Sequence, residues 1–355
     1  MALGRMMFTL VVPAYGCALY LPKLFTSLDS QTYRDFEVVF AVERSPDESL
    51  ALCQGWRPRD GIRVTVLDLP KTGAGGASRN RAFGIARGRY VVPLDGDDWL
   101  DAEALTVLAE RLEAVDFPEV ANVTARVVAD DGRNNLEPAG DISNLPPSED
   151  GLLVSGVEFL RRVGRWGHCK NHGALVVART DFLRERKLYQ LEGMPSEDSE
   201  WTPRVLLCAE RVLFLAEPHY NYRRREGSVS SAGSNRILFA TAEICLRLAS
   251  FFAKMDIPAD VRRSLENDAL SIFNWYLFNR TYARRFSRSD RLAALAIVFA
   301  DAKTKTLYRS LWRSASRWKR LAWPLVAFAW RTGVIFPATW YFRYFYYPMS
   351  GMVRR

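Results

Sequence analysis

The segment Tyr90-Val91-Val92-Pro93-Leu94-Asp95-Gly96-Asp97-Asp98-Trp99-Leu100 constrains this chain more than any other. Its apolar half reads as a buried strand, and three carboxylates follow at once. In open α/β sheets ligands bind at the carboxyl ends of strands. Carboxylates this close repel one another unless a cation neutralises them. Hard oxygen donors suit Mg²⁺ or Mn²⁺ better than zinc. A divalent ion held there would bridge a nucleotide diphosphate and stabilise it as a leaving group. The competing reading is a solvated acidic turn that caps the helix near Asp101.

The neighbouring chain favours the first reading. Phe8–Pro13, Phe36–Val42 and Ile62–Leu67 are strand-like runs. Between them Leu21, Leu24, Phe25 and Leu28 repeat at helical spacing, and Ala77–Ala86 is a small-residue helix. Strands alternating with helices imply βαβ units and a mainly parallel sheet. The acidic turn then closes the fourth strand of an α/β nucleotide-binding half.

These residues resemble family 2 glycosyltransferases of the GT-A fold. Val11-Val12-Pro13-Ala14-Tyr15 is similar to the first strand and turn of that family. Ser27-Leu28-Asp29-Ser30-Gln31-Thr32-Tyr33 is similar to its SLxxQTY segment. Ala77-Ser78-Arg79-Asn80-Arg81 resembles its ARN helix, and Asp95-Gly96-Asp97-Asp98-Trp99 its DxDDW turn. The resemblance covers roughly residues 6 to 231. It implies a Rossmann-like α/β domain at 1–231, followed by a helical region at 235–302 and a basic aromatic tail at 303–355.

The resemblance also implies roles. Asp97 would be the main metal and diphosphate ligand, with Asp95 at the ribose or metal shell and Mn²⁺ or Mg²⁺ as cofactor. Pro13, Ala14 and Tyr15 would wall the base pocket. Glu43 stands where the family reads the base edge with an aspartate. The altered Glu43-Arg44 pair leaves guanosine and thymidine open beside uridine. Arg79 would contact the base or phosphates. Arg225, where many members carry histidine, would pair with the diphosphate. Asp98, His172 and Glu197 fall on the acceptor side. Asp198 would be the general base of a one-step inverting transfer, because an acceptor hydroxyl must lose its proton as it attacks.

Two other motifs lead to simpler readings. Gly73-Ala74-Gly75-Gly76-Ala77-Ser78 is a poor dinucleotide fingerprint, since it follows the third strand and ends in Ser78. It reads as a turn opening a helix whose N–H groups favour an anion. His168-Cys169-Lys170-Asn171-His172 supplies too few donors for a zinc site. Residues 138–150, rich in Pro, Ser, Asn and acids, read as a mobile loop.

Charge is unevenly placed. The formal charge is +9, yet eleven Lys and Arg residues lie after Asp301, the last acid. Removing them leaves −2 for residues 1–301. The tail also holds Trp312, Trp318, Trp323, Trp330 and Trp340. Its spacing predicts a basic amphipathic helix on an anionic membrane surface, with a tail packed on the enzyme or a second subunit, or a span over Leu321–Phe342 interrupted by Arg331, as the alternatives, rather than a nucleic-acid site. Five cysteines without a C-x-x-C pair fit reduced thiols. The first apolar run is too short for a signal peptide. The expectation is a cytoplasmic enzyme attached to the inner face of the membrane. It would use a nucleotide-sugar donor, UDP-linked, and a glycan, lipid-linked or teichoic-acid-like acceptor. The rival is a catalytically silent sugar-binding or scaffold protein of the same fold.

Overall fold

The computed structural model describes residues 6–130, 136–224, 235–278, 286–314, 324–328 and 332. Two compact units divide them, one with residues 6–193 and 197–224, the other with 194–196 and the residues from 235 onward.

The first unit is built on a ten-stranded mixed sheet. Its parallel half contains β1 (Phe8–Ala14), β2 (Phe36–Glu43), β3 (Arg63–Leu69) and β4 (Tyr90–Pro93) in the order β3-β2-β1-β4. Every residue of β2 is buried. Helices therefore cover both faces, and this explains the unbroken apolar run. The helix α1 (Leu21–Asp29) buries Leu21, Leu24 and Leu28 on one stripe, with Pro22 at its start. The helix α2 (Ser49–Gly55) follows β2, and α3 (Gly75–Ile85) buries Gly76, Ala77, Ser78, Ala82 and Phe83. Those small side chains let α3 lie close to the sheet.

After β4 come the short strand β5 (Trp99–Leu100), the helix α4 (Ala104–Glu113) and β6 (Val120–Asp130). Residues 138–150 are not simply a loop. Leu136–Ile142 form β7, which pairs antiparallel with β6. Its Pro and charged side chains are what an exposed edge strand carries, and in a sequence they read as loop. Next are β8 (Leu153–Val154), α5 (Gly156–Trp166), β9 (Val176–Arg179), α6 (Thr180–Glu185), α7 (Glu197–Cys208) and β10 (Val212–Arg224). The strand β9 joins β4 and β6 antiparallel, so the sheet, parallel along most of its paired residues, is mixed. Ser155 caps α5 by accepting from the Glu158 N–H.

The second unit is helical: α8 (Asn235–Lys254), α9 (Ala259–Phe278), α10 (Arg288–Val298) and α11 (Ala302–Ser314). Leu238, Phe273, Leu277, Leu295, Leu311 and Val326 share its core. On α11 the expected exposed cations Lys305, Arg309 and Arg313 do face water. Trp312, expected at a lipid headgroup, is instead buried against Tyr308 in this core. A Trp at helical spacing finds apolar partners as readily in a helix bundle as in a membrane. Trp318, Trp323, Trp330 and Trp340 lie outside the described residues. No helix among the described residues is long and apolar enough to cross a membrane.

Candidate active site

The site lies where the carboxyl ends of β1, β2 and β4 meet. The strand β1 pairs in parallel with β2 on one side and β4 on the other. Tyr15, Glu43 and the acidic turn therefore leave the sheet along one edge, on either side of β1. Gly96 lets the turn lie against β1. A Cβ there would meet Cys17 Sγ at 2.9 Å and the Pro13 carbonyl at 3.1 Å.

The three aspartates of the turn have separate environments. Asp98 points inward and is only 1 % exposed. It accepts from the Tyr220 hydroxyl at 2.6 Å and the Arg223 N–H at 2.7 Å. Burial, with Asp97 and Asp95 adding to it, pushes its carboxyl well above the usual range. Asp98, expected on the acceptor side, is held inward on β10 by these two bonds. Arg223 also donates through Nε to the Asp97 carbonyl at 2.8 Å and pairs with Asp130 at 2.5 Å. Its guanidinium lies between the rings of Tyr20 and Trp99, 4.7 and 5.0 Å from their centroids. Arg223 therefore bolts the backbone of the acidic turn to β10 and β6.

Arg79, in the first turns of α3, joins the turn to α7. It reaches Asp95 at 2.5 Å and Glu197 at 2.7 Å. A Cβ on Gly75 would strike its guanidinium at 2.5 Å, so the glycine makes room for this bridge. Burial alone would raise the Asp95 carboxyl, but Arg79 overturns this and holds it below the usual range. On α7, burial pushes Glu197 up to about 7 and Asp198 up to about 6, with Arg79 opposing both. Asp198 Oδ1 accepts from the Ser199 N–H at 2.8 Å. The Gly173 N–H also bonds the Asp198 carboxylate, which brings the chain beside His172 to the same place. His172 is kept neutral chiefly by burial, although Asp95 and Asp97 pull the other way. Its ring meets Tyr222 edge-on at 4.8 Å.

After β1, Lys71 Nζ lies 4.4 Å over the half-exposed Tyr15 ring and bonds its hydroxyl. Glu43, expected to read a base edge, is fully engaged. Its carboxylate accepts from the Thr72 N–H at 2.9 Å, the Gly73 N–H at 3.4 Å, the Ser78 hydroxyl at 2.7 Å and the Thr72 hydroxyl. Four donors use the four lone-pair positions of a carboxylate. The Gly-rich turn thus spends its first N–H groups on Glu43. Glu43→Gln is expected to lower stability by about 1–3 kcal/mol, because an amide faces those donors with fewer acceptor sites. Urea unfolding checks this. Unchanged stability with an altered nucleobase preference would instead return Glu43 to base reading.

The structure thus brings together Asp95, Asp97, Arg79, Glu197, Asp198 and His172, with Tyr15 following β1 at the same sheet edge. Pro13 and Ala14 end β1 beside the turn. Arg225 lies outside the described residues. Tyr220, Arg223 and Lys71 were not singled out from sequence. Arg223 stands in a run of three arginines, and its burial separates it from the exposed Arg224.

A nucleotide-type sheet edge, an acidic turn and a facing pair of carboxylates define a GT-A glycosyltransferase domain. Residues 9–169 match the family model for glycosyl transferase family 2. The chain is 24 % identical over 267 residues to the glycosyltransferase GlyA of Streptococcus pneumoniae, covering 74 % of this chain and 37 % of GlyA. It is 24 % identical over 282 residues to the poly(ribitol-phosphate) beta-N-acetylglucosaminyltransferase TarS of Staphylococcus aureus, covering 78 % and 45 %. The chain thus spans less than half the length of these two relatives. The crystal structure of TarS 1–349 with UDP-GlcNAc superposes with a TM-score of 0.71 at 20 % identity, over 99 % of this chain and 93 % of that one. The mannosyltransferase PcManGT of Pyrobaculum calidifontis, in complex with GDP-Man and Mn²⁺, gives 0.52 at 15 % identity, over 96 % and 88 %. These likenesses establish the fold.

Proposed function

We propose that the chain transfers a sugar from a UDP-linked donor to a hydroxyl of a polyol-phosphate or polysaccharide acceptor, with inversion at the anomeric carbon. The observation that carries this is the Asp95–Arg79–Glu197 bridge, which sets the buried Asp198 across from the acidic turn. Asp198 takes the proton as the acceptor oxygen attacks the anomeric carbon. The bond from that carbon to the diphosphate oxygen breaks, and its electron pair leaves with the diphosphate. No second carboxylate need form a covalent intermediate.

The donor set suits a hard cation. Asp97 and Asp95 present carboxylates at the turn, and their charge adds to burial in lifting Asp98. Among the described residues no three His, Cys, Asp or Glu side chains form a ready-made cage. An Mg²⁺ or Mn²⁺ site completed by substrate phosphates needs only one or two protein carboxylates. Such an ion would neutralise charge on the leaving diphosphate. Arg79 would tie Asp95 to Glu197 on α7, leaving Asp97 as the main ligand with Asp95 at the edge of the metal shell, and Tyr15 with Lys71 would cover the base.

Support for the donor and acceptor classes comes from the UDP-GlcNAc complex of TarS, the poly(ribitol-phosphate) in its name, and the Mn²⁺ in the PcManGT complex. We further propose a cytoplasmic enzyme, on its unpaired cysteines, held at the membrane or self-associated through its basic aromatic tail. Release of free nucleoside diphosphate from UDP-linked sugars is the test. Turnover with Mn²⁺ that stops in excess chelator is expected. Binding without turnover for every nucleotide sugar would favour a silent sugar-binding protein.

A further inference from the structure

We propose that the exposed end of α5 and the segment after it, Arg165 to Lys170, form a docking surface for a polyol-phosphate acceptor chain. The proposal rests on the glycosyltransferase reading above and assigns the part of the surface that holds the acceptor.

Trp166 is 63 % exposed, the most exposed aromatic side chain among the described residues. Arg165, His168 and Lys170 beside it are also exposed. One turn earlier, Arg161 and Arg162 are neutralised by Glu158 and Glu149. Arg165 and Lys170 have no ion pair among the described residues. No acid occurs between Glu158 and Asp181, so the positive charge of this stretch is not cancelled from within.

The segment is also held in place. Cys169 is buried beneath it, and the Lys170 N–H donates to Asn144 Oδ1 at 2.6 Å. The His172 N–H returns to the Lys170 carbonyl at 2.9 Å. The surface then runs directly into His172 and Gly173, whose N–H holds Asp198. A chain lying along Arg165–Lys170 would be led toward the base.

The chemistry selects the occupant. A phosphodiester is ionised at every working pH, and arginine and lysine pair with it. An indole face covers the CH-rich side of a polyol at little entropic cost. A lipid surface would want several apolar side chains together, but the neighbours of Trp166 are Arg165, Gly167 and His168. A neutral glycan would leave the two cations unused.

Calorimetric titration of the full chain tests this with a ribitol-phosphate oligomer, the same oligomer stripped of phosphate, and phosphatidylglycerol vesicles. The phosphorylated oligomer should bind, and added salt should weaken it. Trp166→Ala and the double change Arg165→Ser/Lys170→Ser should each weaken it roughly tenfold, the loss typical of an aromatic or charged anchor. Acceptor KM should rise in step, while donor hydrolysis without acceptor stays within about twofold of the parent. Trp166→Phe should keep most of the binding. Equal binding of the phosphate-free oligomer, unchanged affinity in both variants, or Trp166-dependent capture by vesicles without oligomer binding would each overturn the proposal. If the parent hydrolyses no nucleotide sugar, the enzyme reading fails, and the oligomer titrations still decide the surface.

Discussion

Asp198→Asn is expected to lower turnover by roughly 10²–10⁴-fold while donor affinity changes little. Asparagine keeps an oxygen for the Ser199 and Gly173 N–H groups, so the local backbone should hold. It cannot take the acceptor proton. Steady-state kinetics with donor binding measured separately checks this. Lost nucleotide binding with normal turnover at saturation would show that Asp198 serves the donor. The parent should also lose activity as pH falls through about 6, where burial has placed the Asp198 carboxyl. The asparagine variant should lack that limb. The stability linkage runs the other way. Glu197 and Asp198 are raised in the fold to about 7 and about 6. Their contribution is fully present below the unfolded carboxylate range and is lost as pH rises to about 7. Activity and maximal stability should therefore part company between about pH 4 and 7.

Arg223→Met should destabilise the first unit by about 3–5 kcal/mol, because it removes the arginine half of a buried ion pair with Asp130. Side chains of the pair are 1 % and 3 % exposed, so water cannot take over the charge. The same change removes the Nε bond to the Asp97 carbonyl and the contacts with Tyr20 and Trp99. Donor affinity should fall with stability, since the turn that carries Asp97 loses its bolt. Adding Asp130→Leu should recover much of the stability and little of the donor affinity. Urea unfolding and nucleotide titration of both variants separate the two effects. A double variant as impaired in stability as the single one would mean that the ion pair is not what Arg223 contributes.

Much of the parallel half was legible in the residues themselves. Buried strands read as apolar runs, and α1 reads as a stripe at helical spacing. The acidic turn stands out because three carboxylates end an apolar strand. Asp198 was reachable because an acid pair opens α7. Other features depended on which residues of one type are buried. Three consecutive arginines at 223–225 are equivalent on paper, yet Arg223 is the one packed against Asp130. Trp312 has the spacing of a membrane-facing ring and is a core residue instead.

Sequence alone determined the class of fold, the edge of the sheet where a ligand sits and the carboxylates offered there. Each follows from a pattern within about ten neighbouring residues, whose period or composition has one physical outcome. Tertiary structure alone decided the jobs of individual side chains. Glu43 meets the turn at Thr72 across 29 residues, Arg79 meets Glu197 across 118, and Asp98 meets Arg223 across 125. Hydrogen bonds over such separations depend on how the strands and helices pack. That packing decided that Glu43 holds a turn, Asp98 anchors the acidic turn to β10 and Arg79 joins Asp95 to Glu197.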